Sequence, residues 1–68
     1  MADARAWAGD HAADLRGTAA ESAANRIREA GLTPRVVDPG AVITLEYRPD
    51  RITLEQDADG VVTAVRPG

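Results

Sequence analysis

The residue types that carry catalysis are few and isolated in this chain of 68 residues. The only serine, Ser22, lies in an alanine-rich stretch and not in the Gly-x-Ser-x-Gly turn that exposes a nucleophilic serine. His11 is the only histidine, and no serine or aspartate stands at a recognisable catalytic spacing from it, so we interpret it as a surface residue. With no cysteine, thiolate chemistry and disulfides are excluded. The sequence therefore does not indicate an enzyme.

Asp57 and Asp59 have the spacing of two aspartates in a calcium-binding loop. Such a loop runs for about twelve residues and closes with a glutamate, which does not follow here. We therefore interpret both aspartates as turn formers, and we expect no metal site and no cofactor.

Residues 40–50 form the segment that suits a hydrophobic core least. Val42, Ile43, Leu45 and Tyr47 favour a strand, but Pro49 cannot donate a hydrogen bond to a sheet. An edge strand is one interpretation, in which Leu45 and Tyr47 pack inward. The other is an extended, exposed loop that presents its side chains to a partner protein. Residue patterns alone leave both open.

The strongest helix prediction covers Ala19–Ala30. Thr18 and Glu21 have the spacing of a capping box, and Gly31 can take the positive φ that ends a helix. Its apolar residues recur with helical spacing, and they are Ala20, Ala23, Ala24, Ile27 and Ala30.

A weaker helical segment, Ala6–Leu15, precedes it. We expect Asp10 to cap a short turn that ends at Gly17, and Trp7 and Leu15 to pack on the main core. Residues 1–6 are expected to form a flexible arm.

Three short strands are predicted: Arg35–Val37, Arg51–Glu55 and Val61–Val65. The last two form an antiparallel hairpin around the turn at 57–60, and the first has enough connecting chain to pair in parallel with the second. We expect the inward residues of the sheet to face the helix, namely Val36, Ile52, Leu54, Val62 and Val65. The fold class is thus α+β: one main helix packed on a small mixed sheet, in a single domain over residues 1–68.

Composition limits the partners. The net charge is −3, every basic residue is arginine, and acidic and basic residues are interspersed without a basic stripe. We therefore expect no nucleic-acid partner, and no apolar run is long enough for a membrane span. Residues 1–6 lack the apolar core of a secretory signal, so we expect either a cytoplasmic protein or a mature secreted form.

Residues 44–51, Thr-Leu-Glu-Tyr-Arg-Pro-Asp-Arg, resemble the reactive loop of the potato inhibitor I type of serine-protease inhibitor. The other landmarks follow in the family's order: Trp7, Leu-x-Gly at 15–17, a capped helix, a short strand, the loop, a hairpin and a terminal Gly68. The ending Asp-x-Asp-Gly-Val-Val-Thr-x-Val-Arg-x-Gly is similar to a bacterial and fungal branch, typified by a fungal elastase inhibitor. This resemblance favours the loop interpretation of residues 40–50.

The resemblance implies a substrate-like, competitive inhibitor that acts as a monomer on serine proteases of the subtilisin, chymotrypsin or elastase kind. Leu45 matches the primary specificity residue, and Leu45–Glu46 the scissile bond. The implied protease-contacting residues are Val42, Ile43, Thr44, Tyr47 and Arg48, and the implied loop supports are Arg51, Thr53 and Gly68.

Two departures from the family pattern qualify this expectation. Many members carry a second supporting arginine where this chain has Thr53, and a threonine cannot bind bidentately. The disulfide of the bacterial and fungal branch is absent, with Pro67 in the place of its second cysteine. A non-inhibitory protein-interaction module on the same scaffold is therefore the alternative function.

Overall fold

A computed structural model describes residues 3–39 and 48–68 of the chain. Within these residues the elements follow the order α1 (Ala4–Leu15), α2 (Ala20–Glu29), β1 (Thr33–Val37), β2 (Arg51–Gln56) and β3 (Val62–Pro67). The strands form one sheet in the order β1-β2-β3, with β1 parallel and β3 antiparallel to β2. The predicted α+β class, the parallel pair and the hairpin are confirmed.

The first helix begins earlier than predicted. Asp3, and not Asp10, is its N-cap: the Asp3 carboxylate accepts a hydrogen bond of 3.1 Å from the Arg5 N–H. Residues 4–6 belong to the first turn, where Ala4 is fully buried. The predicted flexibility of an arm over residues 1–6 stays a prediction, and residues 1–2 lie outside the described residues.

The second helix begins one residue later than predicted, and the expected Thr18 cap is wrong. Ala19 is the N-cap and makes no side-chain capping bond, while the Thr18 hydroxyl donates to the Leu15 carbonyl at 2.6 Å. The reason is tertiary: Gly17 N–H donates to the Val62 carbonyl, and Thr18 O accepts from Val62 N–H. This pairing holds residues 17–18 beside the hairpin, where Gly17 takes a φ of +85°.

The end of α2 follows the sequence prediction. Gly31 has a φ of +81°, its N–H donates to Arg28 O at 3.0 Å, and the Leu32 N–H donates to Ile27 O at 3.1 Å. These two bonds constitute a Schellman motif, which satisfies carbonyl groups that the helix itself leaves unpaired. The turn directs the chain straight into β1.

Both helices cover one face of the sheet. The core residues of the helices are mostly alanines, with Leu15 and Ile27, and those of the strands are larger. The core residues are Ala4, Ala8, Leu15, Ala20, Ala23, Ala24, Ile27, Leu32, Ile52, Leu54 and Val62. Trp7, Ala30 and Val65 pack at its margin, as expected for Trp7. Val36 pairs with Leu54 and shares its face, but β1 is an edge strand, so Val36 remains 42% exposed instead of being covered by the helix.

Candidate functional site

The described residue that lies nearest in sequence to the predicted scissile bond is Arg48. It begins a turn, Arg48–Arg51, which we call the exit segment because it leads from residues 40–47 into β2. Residues 40–47 lie outside the described residues. The predicted contact residues among them, and the bond between Leu45 and Glu46, therefore stay predictions, as does the protease-contacting role of the exposed Arg48.

All four carbonyl groups of the exit segment accept backbone hydrogen bonds. Arg48 O accepts from Arg51 N–H at 3.2 Å and closes the turn, while the other three reach outward. Pro49 O accepts from Ala4 N–H of α1 at 3.2 Å, Asp50 O from Thr33 N–H of β1 at 2.8 Å, and Arg51 O from Gly68 N–H at 2.6 Å.

These donors come from three separate parts of the molecule, so the exit segment is held from several directions. Each backbone bond contributes only about 0.5–1.5 kcal/mol net. Three such bonds to separate parts of the chain nevertheless restrict the segment far more than the turn bond within it could alone. Proline at position 49 restricts it further, because its ring fixes φ near −65°.

The predicted support residues Arg51, Thr53 and Gly68 come together at the start of β2. Arg51 and Thr53 share the face opposite the helices, because side chains alternate along a strand. Thr53 is 5% exposed, and its hydroxyl donates to Gly68 O at 2.6 Å. Gly68 thus donates to the backbone of one support residue and accepts from the side chain of the other.

Cationic side chains dominate this face of the sheet. Arg35 pairs in register with Thr53 on one side and Arg66 does so on the other, which places three arginines around that threonine when Arg51 is included. Arg66 lies 3.4 Å from the Glu55 carboxylate in a largely exposed ion pair, worth little for stability. The face offers guanidinium groups suited to carboxylate or carbonyl acceptors.

No group of three or more potential metal ligands occurs among residues 3–39 and 48–68. Asp57 acts as a turn former, as predicted: its carboxylate accepts hydrogen bonds from the Asp59 and Val61 N–H groups at 2.9 and 3.0 Å. His11 lies half-buried against the Trp7 ring, with a ring-centroid separation of 4.5 Å. In the described part of the chain, no helix is both long and apolar enough to cross a membrane.

Sequence reasoning missed two backbone donors, Ala4 and Thr33. Their role is invisible in residue type, because every non-proline residue carries an N–H group. The one usable signal was Asp3, a good N-cap residue that would have placed the start of α1 and therefore the position of Ala4.

Solved structures of protease inhibitors share this fold. A bitter gourd trypsin inhibitor superposes with a TM-score of 0.74 at 21% identity, covering 81% of this chain and 85% of that one. The elastase inhibitor AFUEI superposes with a TM-score of 0.70 at 21% identity, covering 96% of this chain and 94% of that one. Among curated proteins, none has a sequence that matches this chain significantly.

Structural similarity at this low sequence identity shows the fold but not the family. A family model identifies the family. It describes the peptidase inhibitor I78 family and matches residues 2–68, which is nearly the whole chain. Family membership and the inhibitor neighbours together point to a non-enzymatic protein whose partner is a protease. The chain belongs to the peptidase inhibitor I78 family.

Proposed function

We propose that this protein is a substrate-like, competitive inhibitor of serine endopeptidases, built on a scaffold of the potato inhibitor I type. In this proposal Leu45–Glu46 is the scissile bond. Val42, Ile43 and Thr44 occupy the non-primed side of the protease cleft, and Tyr47 and Arg48 the primed side. The observation that carries the proposal is the exit segment, whose four carbonyls are hydrogen-bonded to α1, β1, β2 and the end of β3.

Anchoring of this kind is what separates an inhibitor from a substrate. An extended segment binds a protease as an added strand, with one side chain in the specificity pocket. Binding is tight when the segment is already held in its bound shape, which avoids about 0.5–1.5 kcal/mol of ordering cost for each immobilised side chain. After cleavage, a primed-side end held by the scaffold stays close to the acyl-enzyme and favours re-formation of the bond.

Arg51 and Thr53 share the support between them in this proposal. As the resemblance implies, the Arg51 guanidinium would donate charge-assisted hydrogen bonds to Thr44 and Glu46. Thr53 supports the site indirectly, since its hydroxyl holds Gly68, whose N–H in turn holds the Arg51 carbonyl. In this proposal, a threonine in place of a second arginine therefore supports the loop only through Gly68 and makes no hydrogen bond to the loop itself.

The side chain of residue 45 sets the target class. Leucine suits the apolar primary pockets of subtilisin-like, chymotrypsin-like and elastase-like enzymes, whereas trypsin-like pockets contain an aspartate that selects arginine or lysine. The two structural neighbours carry different targets in their names, trypsin and elastase. This difference supports specificity that depends on loop side chains and not on the fold.

A panel of subtilisin, chymotrypsin, elastase and trypsin tests the proposal. The wild type should inhibit the first three at micromolar concentration or below and leave trypsin active. The variant Leu45→Arg should shift the preference toward trypsin by at least about tenfold, which corresponds to 1.4 kcal/mol. Val36→Arg, the same kind of change at an exposed position of β1 outside the proposed loop, is the matched control and should leave the inhibition profile unaltered.

Incubation with a catalytic amount of subtilisin separates this proposal from the interaction-module alternative. An inhibitor should persist as intact chain, or as a slowly established mixture of intact chain and chain cleaved at Leu45–Glu46, measured by mass spectrometry. Rapid and complete cleavage, together with full protease activity in the panel, would favour the interaction module.

A further inference from the structure

The first turn of α1 contacts the exit segment directly. Ala4 is fully buried, and its N–H points away from its own helix to the Pro49 carbonyl at 3.2 Å. The first helical N–H groups have no acceptor within the helix, so this bond uses a donor that the helix cannot satisfy itself. The positive end of the helix dipole strengthens its attraction for a carbonyl oxygen.

The Asp3 cap leaves that donor available for Pro49. The Asp3 carboxylate accepts from the next N–H group, that of Arg5, while the Asp3 carbonyl accepts the first helical bond from Trp7. Asp3 thus binds the Arg5 and Trp7 N–H groups and leaves the Ala4 N–H to the exit segment, and the neighbouring donors of Ala4 and Arg5 cannot exchange roles without losing the cap.

We infer that α1 is a positioning element of the inhibitory loop, and that the Ala4 N–H acts by fixing the Pro49 carbonyl four residues after the proposed scissile bond. Among the three backbone bonds described above that reach outward from the exit segment, this is the one whose donor lies in a helix. The effect that we expect on inhibition rests on the proposed function. The effect that we expect on amide hydrogen exchange depends only on the described residues.

Ala4→Pro is the direct test, because proline is well tolerated as the first residue of a helix and lacks the N–H. Asp3 already has the extended conformation, φ −104° and ψ 117°, that a residue before proline prefers. We expect the inhibition constant for subtilisin and the rate of cleavage at Leu45–Glu46 each to rise about two- to tenfold, equivalent to one net hydrogen bond.

The chain offers a closely matched control in Ala20→Pro. Ala20 is also a buried alanine at the first position of a helix, follows an extended residue (Ala19, ψ 135°) and donates outside its helix, to Gly60 O at 2.8 Å. Its acceptor lies in the hairpin turn instead of the exit segment. Ala20→Pro should therefore change the inhibition constant by less than about twofold while losing the same kind of bond.

Amide hydrogen exchange tests, without any protease, whether the hydrogen bond from Ala4 N–H to Pro49 O holds the exit segment. In Ala4→Pro, exchange of the Arg51 and Thr33 amides, which are bonded to Arg48 O and Asp50 O, should accelerate about two- to tenfold. In Ala20→Pro, the accelerated amides should instead be Asp57 and Gly60 in the hairpin turn.

If the proline ring prevents folding, a synthetic chain with lactic acid in place of Ala4 removes the N–H without adding ring atoms. Unchanged exchange at Arg51 and Thr33 in a folded Ala4 variant would overturn the inference, as would accelerated exchange with an unchanged inhibition constant. If the wild type inhibits no protease, the proposed function fails, and the exchange result alone decides whether α1 holds the exit segment.

Discussion

At the scale of single residues, Thr53 has the role that sequence reasoning described least well. The absence of a second arginine indicated a weaker support for the loop. In the structure its hydroxyl is bonded to Gly68 O at 2.6 Å on a side chain that is almost fully buried. Thr53 therefore joins β2 to the end of β3 next to Arg51, a contact that the residue type does not reveal.

Thr53→Val tests this contact, because valine keeps the shape and removes the hydroxyl. We expect the free energy of unfolding in urea to fall by about 1–2 kcal/mol, since a buried bond is lost and its acceptor is left unsatisfied. Thr63→Val is the control: Thr63 is exposed on β3, and its hydroxyl donates to Glu55 O at 3.2 Å. Its loss should cost no more than about 0.5 kcal/mol. Equal effects at the two positions would contradict a specific role for Thr53.

At the scale of elements, glycines act differently at the two helices. Gly31 ends α2 with a φ of +81°, a conformation that costs an ordinary residue free energy even where space is open. Gly9 lies within α1, where a methyl group would meet no atom within 4 Å. Gly31 is therefore favoured by its positive φ, whereas Gly9 has no such reason and only lowers the stability of α1.

The two substitutions should therefore have opposite signs. Gly31→Ala should lower the free energy of unfolding by about 1 kcal/mol through backbone strain in the Schellman turn. Gly9→Ala should raise it by about 0.5–1 kcal/mol, because alanine loses less backbone entropy in a helix. Both values follow from urea titration of the purified variants. A stabilising Gly31→Ala would mean that the turn can relax out of the left-handed region.

At the scale of the whole molecule, a thin core has to support the anchored segment. Among the described residues, six apolar side chains larger than alanine are buried in it: Leu15, Ile27, Leu32, Ile52, Leu54 and Val62. A domain of 68 residues has a total stability of only about 3–10 kcal/mol at 0.05–0.15 kcal/mol per residue. A single large cavity is thus comparable to the entire stability.

Leu54→Ala should accordingly cost about 2–5 kcal/mol and leave a substantial fraction of the protein unfolded at 37 °C. Ile27→Val, which removes one methylene group from the facing helix, should cost only about 0.5–1.5 kcal/mol and remain folded. Circular dichroism melting of both variants measures the difference. A fully folded Leu54→Ala protein at 37 °C would show that the core collapses around the cavity more completely than expected.

The sequence by itself determined the α+β class, the positions of β2 and the hairpin, and the end of α2. These features depend on local chemistry: alternation in β2, Asp57 in its turn, and a positive φ that Gly31 adopts at no steric cost. It also indicated an inhibitor, and the family assignment of residues 2–68 agrees with that class of function. The identity of the scissile bond stays a prediction from the sequence.

Tertiary structure alone decided how the candidate site is held. Thr18 was available as a helix cap, but the pairing of residues 17–18 with Val62 displaced it. Ala4 and Thr33 hold the exit segment through backbone N–H groups, which every non-proline residue carries and no sequence pattern distinguishes. The side chains of the sequence can specify which residue would enter the pocket of a protease. How firmly the exit segment is held depends instead on which backbone groups the fold brings within hydrogen-bonding distance.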